Sequence, residues 1–115
     1  MFHFEDYVDH RGVNVIEEEL SALPDNLLGT LLRKLDAISE HGFTRKSYTL
    51  FKGYPANIQM GEFILGDYRV LNCRLNETTF LLLHVFKKRT NETPPKEKAI
   101  AWNRLMDYLS NQKPL

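Results

Sequence analysis

The chain has 115 residues, 43% of them apolar, which suits a single folded domain over 1–115 and argues against a disordered chain. No apolar run approaches the roughly 20 residues that cross a bilayer, the start Met1-Phe2-His3-Phe4-Glu5 lacks a secretory leader's basic and apolar regions, and the single cysteine suits a reducing cytosol. The net charge of zero conceals opposed halves, nine acids to three bases (−6) over residues 1–43 and twelve bases to six acids (+6) over 44–115, so a basic working face is expected.

Phe2, Phe4 and Tyr7 alternate with polar residues and predict a short first strand, broken at Gly12. Val15–Leu23 reads as a helix with Ile16, Leu20 and Leu23 on one stripe and Glu17, Glu18 and Glu19 outside. Pro24-Asp25 stops and restarts the chain, with Asp25 placed to cap a second helix. There Leu27, Leu28, Leu31, Leu32, Leu35 and Ile38 recur at helical spacing, and Gly42 closes the element. The two helices make an αα-hairpin whose apolar stripe must lie on something.

The rest of the chain supplies a sheet. Ser47–Phe51 is extended, Lys52-Gly53-Tyr54-Pro55 turns, and Asn57–Leu65 is a strand of weak alternation. Gly66-Asp67 turns into Tyr68–Leu75, and Asn76-Glu77 into Thr78–Phe86, whose continuous apolar run places it centrally. Thr93 is placed to cap a last helix, with Pro94 or Pro95 in its first turn and Ala101, Trp102, Leu105, Met106, Tyr108 and Leu109 on its apolar side. The order β-α-α-β-β-β-α predicts an α+β fold, an antiparallel sheet packed by the αα-hairpin on one face and by the C-terminal helix. Cys73, the single cysteine, lies mid-strand and reads as a packing residue.

Histidines at 3, 10, 41 and 84 with one cysteine show no zinc-ligand spacing, and there is no glycine-rich phosphate loop, so no metal or cofactor is expected. The chemistry-bearing set is Arg69, His84, Lys87, Lys88 and Arg89. A strand ending in three consecutive cations places them at a sheet rim, ready for phosphate. Arg69 faces the same way as Leu71 and Cys73, so its head must reach a rim or groove, or pair with an acid such as Glu62. Alternation groups His84 with Phe80, Leu82 and Phe86, where it is either a core histidine or a proton donor. Cleaving RNA through its own 2′-hydroxyl needs a proton acceptor, cations around the pentavalent phosphate, and a donor to the leaving 5′-oxygen. Arginine and lysine can supply the electrostatic part without metal.

Tyr68-Arg69-Val70-Leu71, the run from Leu81 through His84, Lys87, Lys88, Thr93 and Pro94 to Glu97, and the helix Ala99–Leu109 together resemble the RelE/HigB toxin superfamily, particularly its phage-derived HigB-like branch. The resemblance covers nearly the whole chain and is most specific over 66–104. It implies a toxin of a toxin–antitoxin system: a cytoplasmic, ribosome-dependent mRNA endonuclease that inhibits translation. Its partners would be mRNA on the ribosome and a cognate antitoxin, in this branch often of helix-turn-helix type. Arg69 matches the strand arginine at the scissile phosphate, and Lys88 or Arg89 the basic position ending the last strand. The expected catalytic set is therefore Arg69, Lys88, Arg89 and His84, with Lys87, Lys52, Arg74 and Tyr68 binding RNA. Met60 and Glu62 stand where such nucleases carry bases. That departure admits a phage or prophage binding protein on the same scaffold, without nuclease chemistry. A ParE-like toxin acting on gyrase is a third reading.

Overall fold

The computed structural model describes residues 1–111. Its elements are β1 (His3–Asp6), α1 (Val15–Ser21), α2 (Asp25–His41), β2 (Tyr48–Leu50), β3 (Gln59–Leu65), β4 (Tyr68–Arg74), β5 (Thr79–Lys87) and α3 (Pro95–Ser110). The strands form one sheet in the order β1-β5-β4-β3-β2. The architecture is α+β, with one strand more than the predicted order, because Tyr48–Leu50 pairs with β3. β5 is internal, as its apolar run predicts. The sheet is not wholly antiparallel, since β1 runs parallel to β5. The connection between them contains the helix pair and three strands, ample length for the chain to return in the same direction.

Two turns set the register of the antiparallel part. Gly66, at φ +66°, makes the β3–β4 reversal that an L side chain would resist. Between β4 and β5, the Asn76 Oδ1 accepts from the Thr78 and Thr79 amides, both at 2.9 Å. Cross-strand partners share a face. One face carries Phe4, Tyr48, Phe63, Val70 and Phe80, with Phe2 and Phe43 completing a cluster in which the Phe63 and Phe80 rings lie 5.1 Å apart. Leu31, Leu35 and Ile38 of α2 join this core. Leu32 is left largely exposed, so the leucine stripe is narrower than the spacing predicts. The other face carries Met60, Glu62, Leu71, Cys73, Leu81 and His84, and there α3 packs on β4 and β5 through Ala101 and Leu105.

A bulge in β5 changes which side chains share a face. Asn72 pairs with Leu82 but Leu71 pairs with His84, so Leu83 is the extra residue. Phe80 and Leu82 therefore face the aromatic core, while His84 and Phe86 face α3, and simple alternation groups them wrongly. α1 is also placed by β5. Beyond Asp6 the first strand stops pairing, and α1 takes over that edge, with the Glu19 Oε1 accepting the Val85 amide at 2.8 Å. Glu19 thus turns inward rather than joining Glu17 and Glu18 outside.

Both predicted N-caps, Asp25 and Thr93, resolve differently, and α1 has a cap of its own. Asn14 caps α1 by accepting the Glu17 amide. Asp25 is already the first residue of α2, and Pro24 holds the cap position with no side-chain bond. Likewise Pro94 occupies the α3 cap, which frees Thr93 for a different partner.

Candidate functional site

Two polar clusters lie side by side on the α3 face of the sheet. The first centres on His84, only 6% exposed. Its Nδ1 is 2.9 Å from Glu19 Oε2 and its Nε2 2.9 Å from Glu97 Oε1. Arg104 Nη1 donates to Glu19 Oε2 at 3.1 Å and to the carbonyl of the bulged Leu83 at 2.9 Å. Burial by itself favours neutral imidazole, but the two carboxylates outweigh it and raise the His84 pKa above its ordinary value. Burial likewise pushes the Glu19 carboxyl up, and the bonds from His84 and the Val85 amide, with Arg104 nearby, bring it below its ordinary value. Two acids and two bases form a hydrogen-bonded circuit that ties α1, β5 and α3 together. Both ring nitrogens of His84 are engaged, so neither is free to meet a substrate. A second tie holds the far end of α3. Tyr7 donates to Asp107, and burial together with that carboxylate pushes its pKa up to about 12.

The second cluster is open. Glu62, on β3, is 3% exposed, and its Oε1 accepts the Thr93 hydroxyl at 2.6 Å. Arg69, diagonally across on β4, donates from Nη1 to the Gly66 and Tyr68 carbonyls at 2.7 and 2.9 Å. Its Nε is buried without a hydrogen-bond partner, 3.8 Å from Glu62 Oε2. The predicted Arg69–Glu62 pairing is present in this loose form. Glu62 lies in a cleft of about 410 Å³ with Thr49 and Phe51 from the β2 side and Lys88, Asn91, Glu92 and Lys98 on the others, two lysines to two carboxylates. The Lys98 ammonium sits 4.4 Å above the Phe51 ring.

The remaining predicted residues do not gather here. The three rim cations are divided by strand alternation. Lys88 lines the cleft, whereas Lys87 pairs with Tyr68 on the opposite face, beside Lys34 and Leu31 of α2. Arg89 is exposed just beyond the strand. Arg74 ends β4 about 20 Å from Tyr68, at ~3.3 Å per residue, lying over the Phe2 and Phe80 rings and donating to the Asn76 and Glu77 carbonyls. Lys52 is exposed in the β2–β3 turn. The sequence reading missed Lys98 and Thr93 as cleft residues. The available signal was the Thr93-Pro94-Pro95 string, which fixes the α3 entry and so carries both residues to the sheet. Cys73 is buried, and burial pushes its thiol pKa up, as suits packing. Among the described residues, no three His, Cys, Asp or Glu side chains are grouped to hold a metal ion, and no helix is long and apolar enough to cross a membrane.

Comparison with known families supplies a match over residues 18–106, to the phage derived protein Gp49-like family (DUF891). The chain belongs to that family. No curated protein matches it. Among solved structures, this Gp49-like chain is similar to a chain of the archaeal RelE–RelB complex from Pyrococcus horikoshii OT3, with a TM-score of 0.52 and 18% identity over 77% of this chain and 93% of that one. At that identity the likeness is one of fold. Family and fold bear out the resemblance read from residues 66–104.

Proposed function

We propose that this protein is the toxin of a toxin–antitoxin pair and cleaves mRNA on the ribosome, using the cleft between β3, β5 and the start of α3. The observation that carries this reading is the joint placement of Lys88, Lys98 and the Glu62 carboxylate around one open cleft, with Arg69 beside Glu62. The reaction follows from those groups. Glu62 accepts the 2′-hydroxyl proton as the 2′-oxygen bonds to phosphorus. The phosphorus–5′-oxygen bond breaks, and the leaving oxygen takes a proton from the Lys88 ammonium. Lys98 and Arg69 offset the charge that the phosphate gains in the transition state. His84 takes no part, because its nitrogens are held by Glu19 and Glu97. Lys87 and Tyr68 lie on the other face and so serve docking or the antitoxin. The fold neighbour comes from a toxin–antitoxin complex, which supports an antitoxin partner here, in the cytoplasm.

The test is primer extension on translated mRNA from cells expressing the wild type, Lys88→Ala or Glu62→Gln. New 5′ ends within translated codons are expected from the wild type alone. Their absence, with folded protein present, favours the second reading, a binding protein on the same scaffold. One observation supports that alternative: Arg69 spends Nη1 on its own backbone and lies beside an acid, so its guanidinium is not freely presented.

A further inference from the structure

Next to the polar cleft lies an apolar groove of about 450 Å³, lined by Gly53, Tyr54, Pro55, Pro95, Lys98 and Trp102. The Tyr54 and Trp102 rings, 5.4 Å apart and inclined by 34°, form its aromatic wall. Prolines fix the backbone on both sides, Pro55 in the β2–β3 turn and Pro95 in the first turn of α3. Lys98 belongs to both the groove and the cleft. Lys98 is the one cation among the groove's lining residues. The neighbouring acid on α3, Glu97, is turned away to His84.

We infer that this groove seats one unstacked base of a single-stranded RNA, stacked on Trp102 and Tyr54, while the adjoining phosphate lies between Lys98 and Lys88. The inference rests on the RNA-cleft reading above and adds a base-recognition site to it. A flat aromatic surface next to fixed cations matches a nucleotide's own division into base and phosphate. An apolar peptide side chain would fill the groove but leave Lys98 without a counterpart. Stacking is tolerant of sequence, so the seat supplies affinity and register, with purines favoured for their larger ring.

Trp102 is the only tryptophan in the chain, and its emission reports the site directly. Titrating the protein with a short single-stranded oligoadenylate should quench that emission saturably. Inorganic tripolyphosphate at matched ionic strength should not. With a labelled oligoadenylate followed by anisotropy, Trp102→Leu and Tyr54→Leu should each weaken binding about tenfold. Tyr54→Leu is the safer variant, because Tyr54 lies in a turn outside α3. Lys98→Ala should lower the salt slope by about 0.7, one phosphate contact on a single strand. Binding that persists unchanged in both aromatic variants, without quenching, overturns the base seat and leaves the RNA cleft standing. Failure of the wild type to bind the oligoadenylate overturns the base seat, while the cleavage reading stands or falls separately by primer extension on translated mRNA. Quenching by an antitoxin peptide but not by RNA makes the groove a protein-docking site and overturns the inference.

Discussion

Glu62 and His84 both lie opposite Leu71, on either side of β4, and both are buried carriers of charge. Their surroundings are opposite. Around His84 both ring nitrogens meet a carboxylate, and four ionisable groups on three elements are bonded in one network. Around Glu62 the circuit is left open, with a buried Arg69 Nε unpaired and a cleft in front of the carboxylate. A closed network fixes geometry, because each member is costly to leave alone. An open one keeps bonding capacity in reserve for a ligand. The contrast teaches that, on this sheet face, the residue resembling a catalyst (histidine) does the structural work. The residue resembling an obstacle (a glutamate where bases are expected) fronts the open cleft.

The largest expected effect comes from breaking the closed circuit. His84→Ala leaves the Glu97 carboxylate without its partner and takes one of three donors from Glu19, and should cost roughly 3 kcal/mol, read as a lower urea midpoint. A loss below about 1 kcal/mol would mean that Glu19 and Glu97 reach water readily, and the contrast would fail. On the open side the loss should appear in activity instead. Lys88→Ala should shift stability by less than about 0.5 kcal/mol yet reduce translation-dependent cleavage by roughly a hundredfold. Comparable losses of fold and activity would show that the cleft is structural as well.

The two clusters should also separate with pH. The folded His84 pKa lies above its ordinary 6.5, so its contribution is complete below pH 6.5 and lost as pH rises through the raised value. The folded Glu19 pKa lies below its ordinary 4.5, so its contribution is present above pH 4.5 and lost as pH falls through the lowered value. Urea titrations across this range should show stability falling on both sides, and His84→Ala should flatten the alkaline fall. An unchanged alkaline limb in that variant would show that another group governs it. The smallest effect belongs to Glu62→Gln, which keeps an acceptor for Thr93 and should cost less than about 1 kcal/mol. Glu97→Gln, which removes one of the two carboxylate charges on His84, should cost more. Reversal of that order would identify Glu62 as the stability-critical carboxylate.

The sequence determined the elements whose cause is local. Helical spacing drew α2, Gly42 ended it, Asn76 and Gly66 made the turns, and the apolar run of β5 required a place inside the sheet. The motifs of residues 66–104 were enough to carry the family. Tertiary structure decided what depends on distant partners. One bulged residue, Leu83, turned His84 towards α3, and nothing in the local pattern of β5 marks that shift. The parallel pairing of β1 depends on where a long connection returns. Whether Glu19 faces water or the Val85 amide depends on where β1 stops. The split of Lys87 from Lys88 follows from strand alternation, but only the packed helices say which face each one meets. Residue type and spacing fix a side chain's capability. Which partners satisfy it, and which bonds stay open for a ligand, is settled only when separate elements share one face.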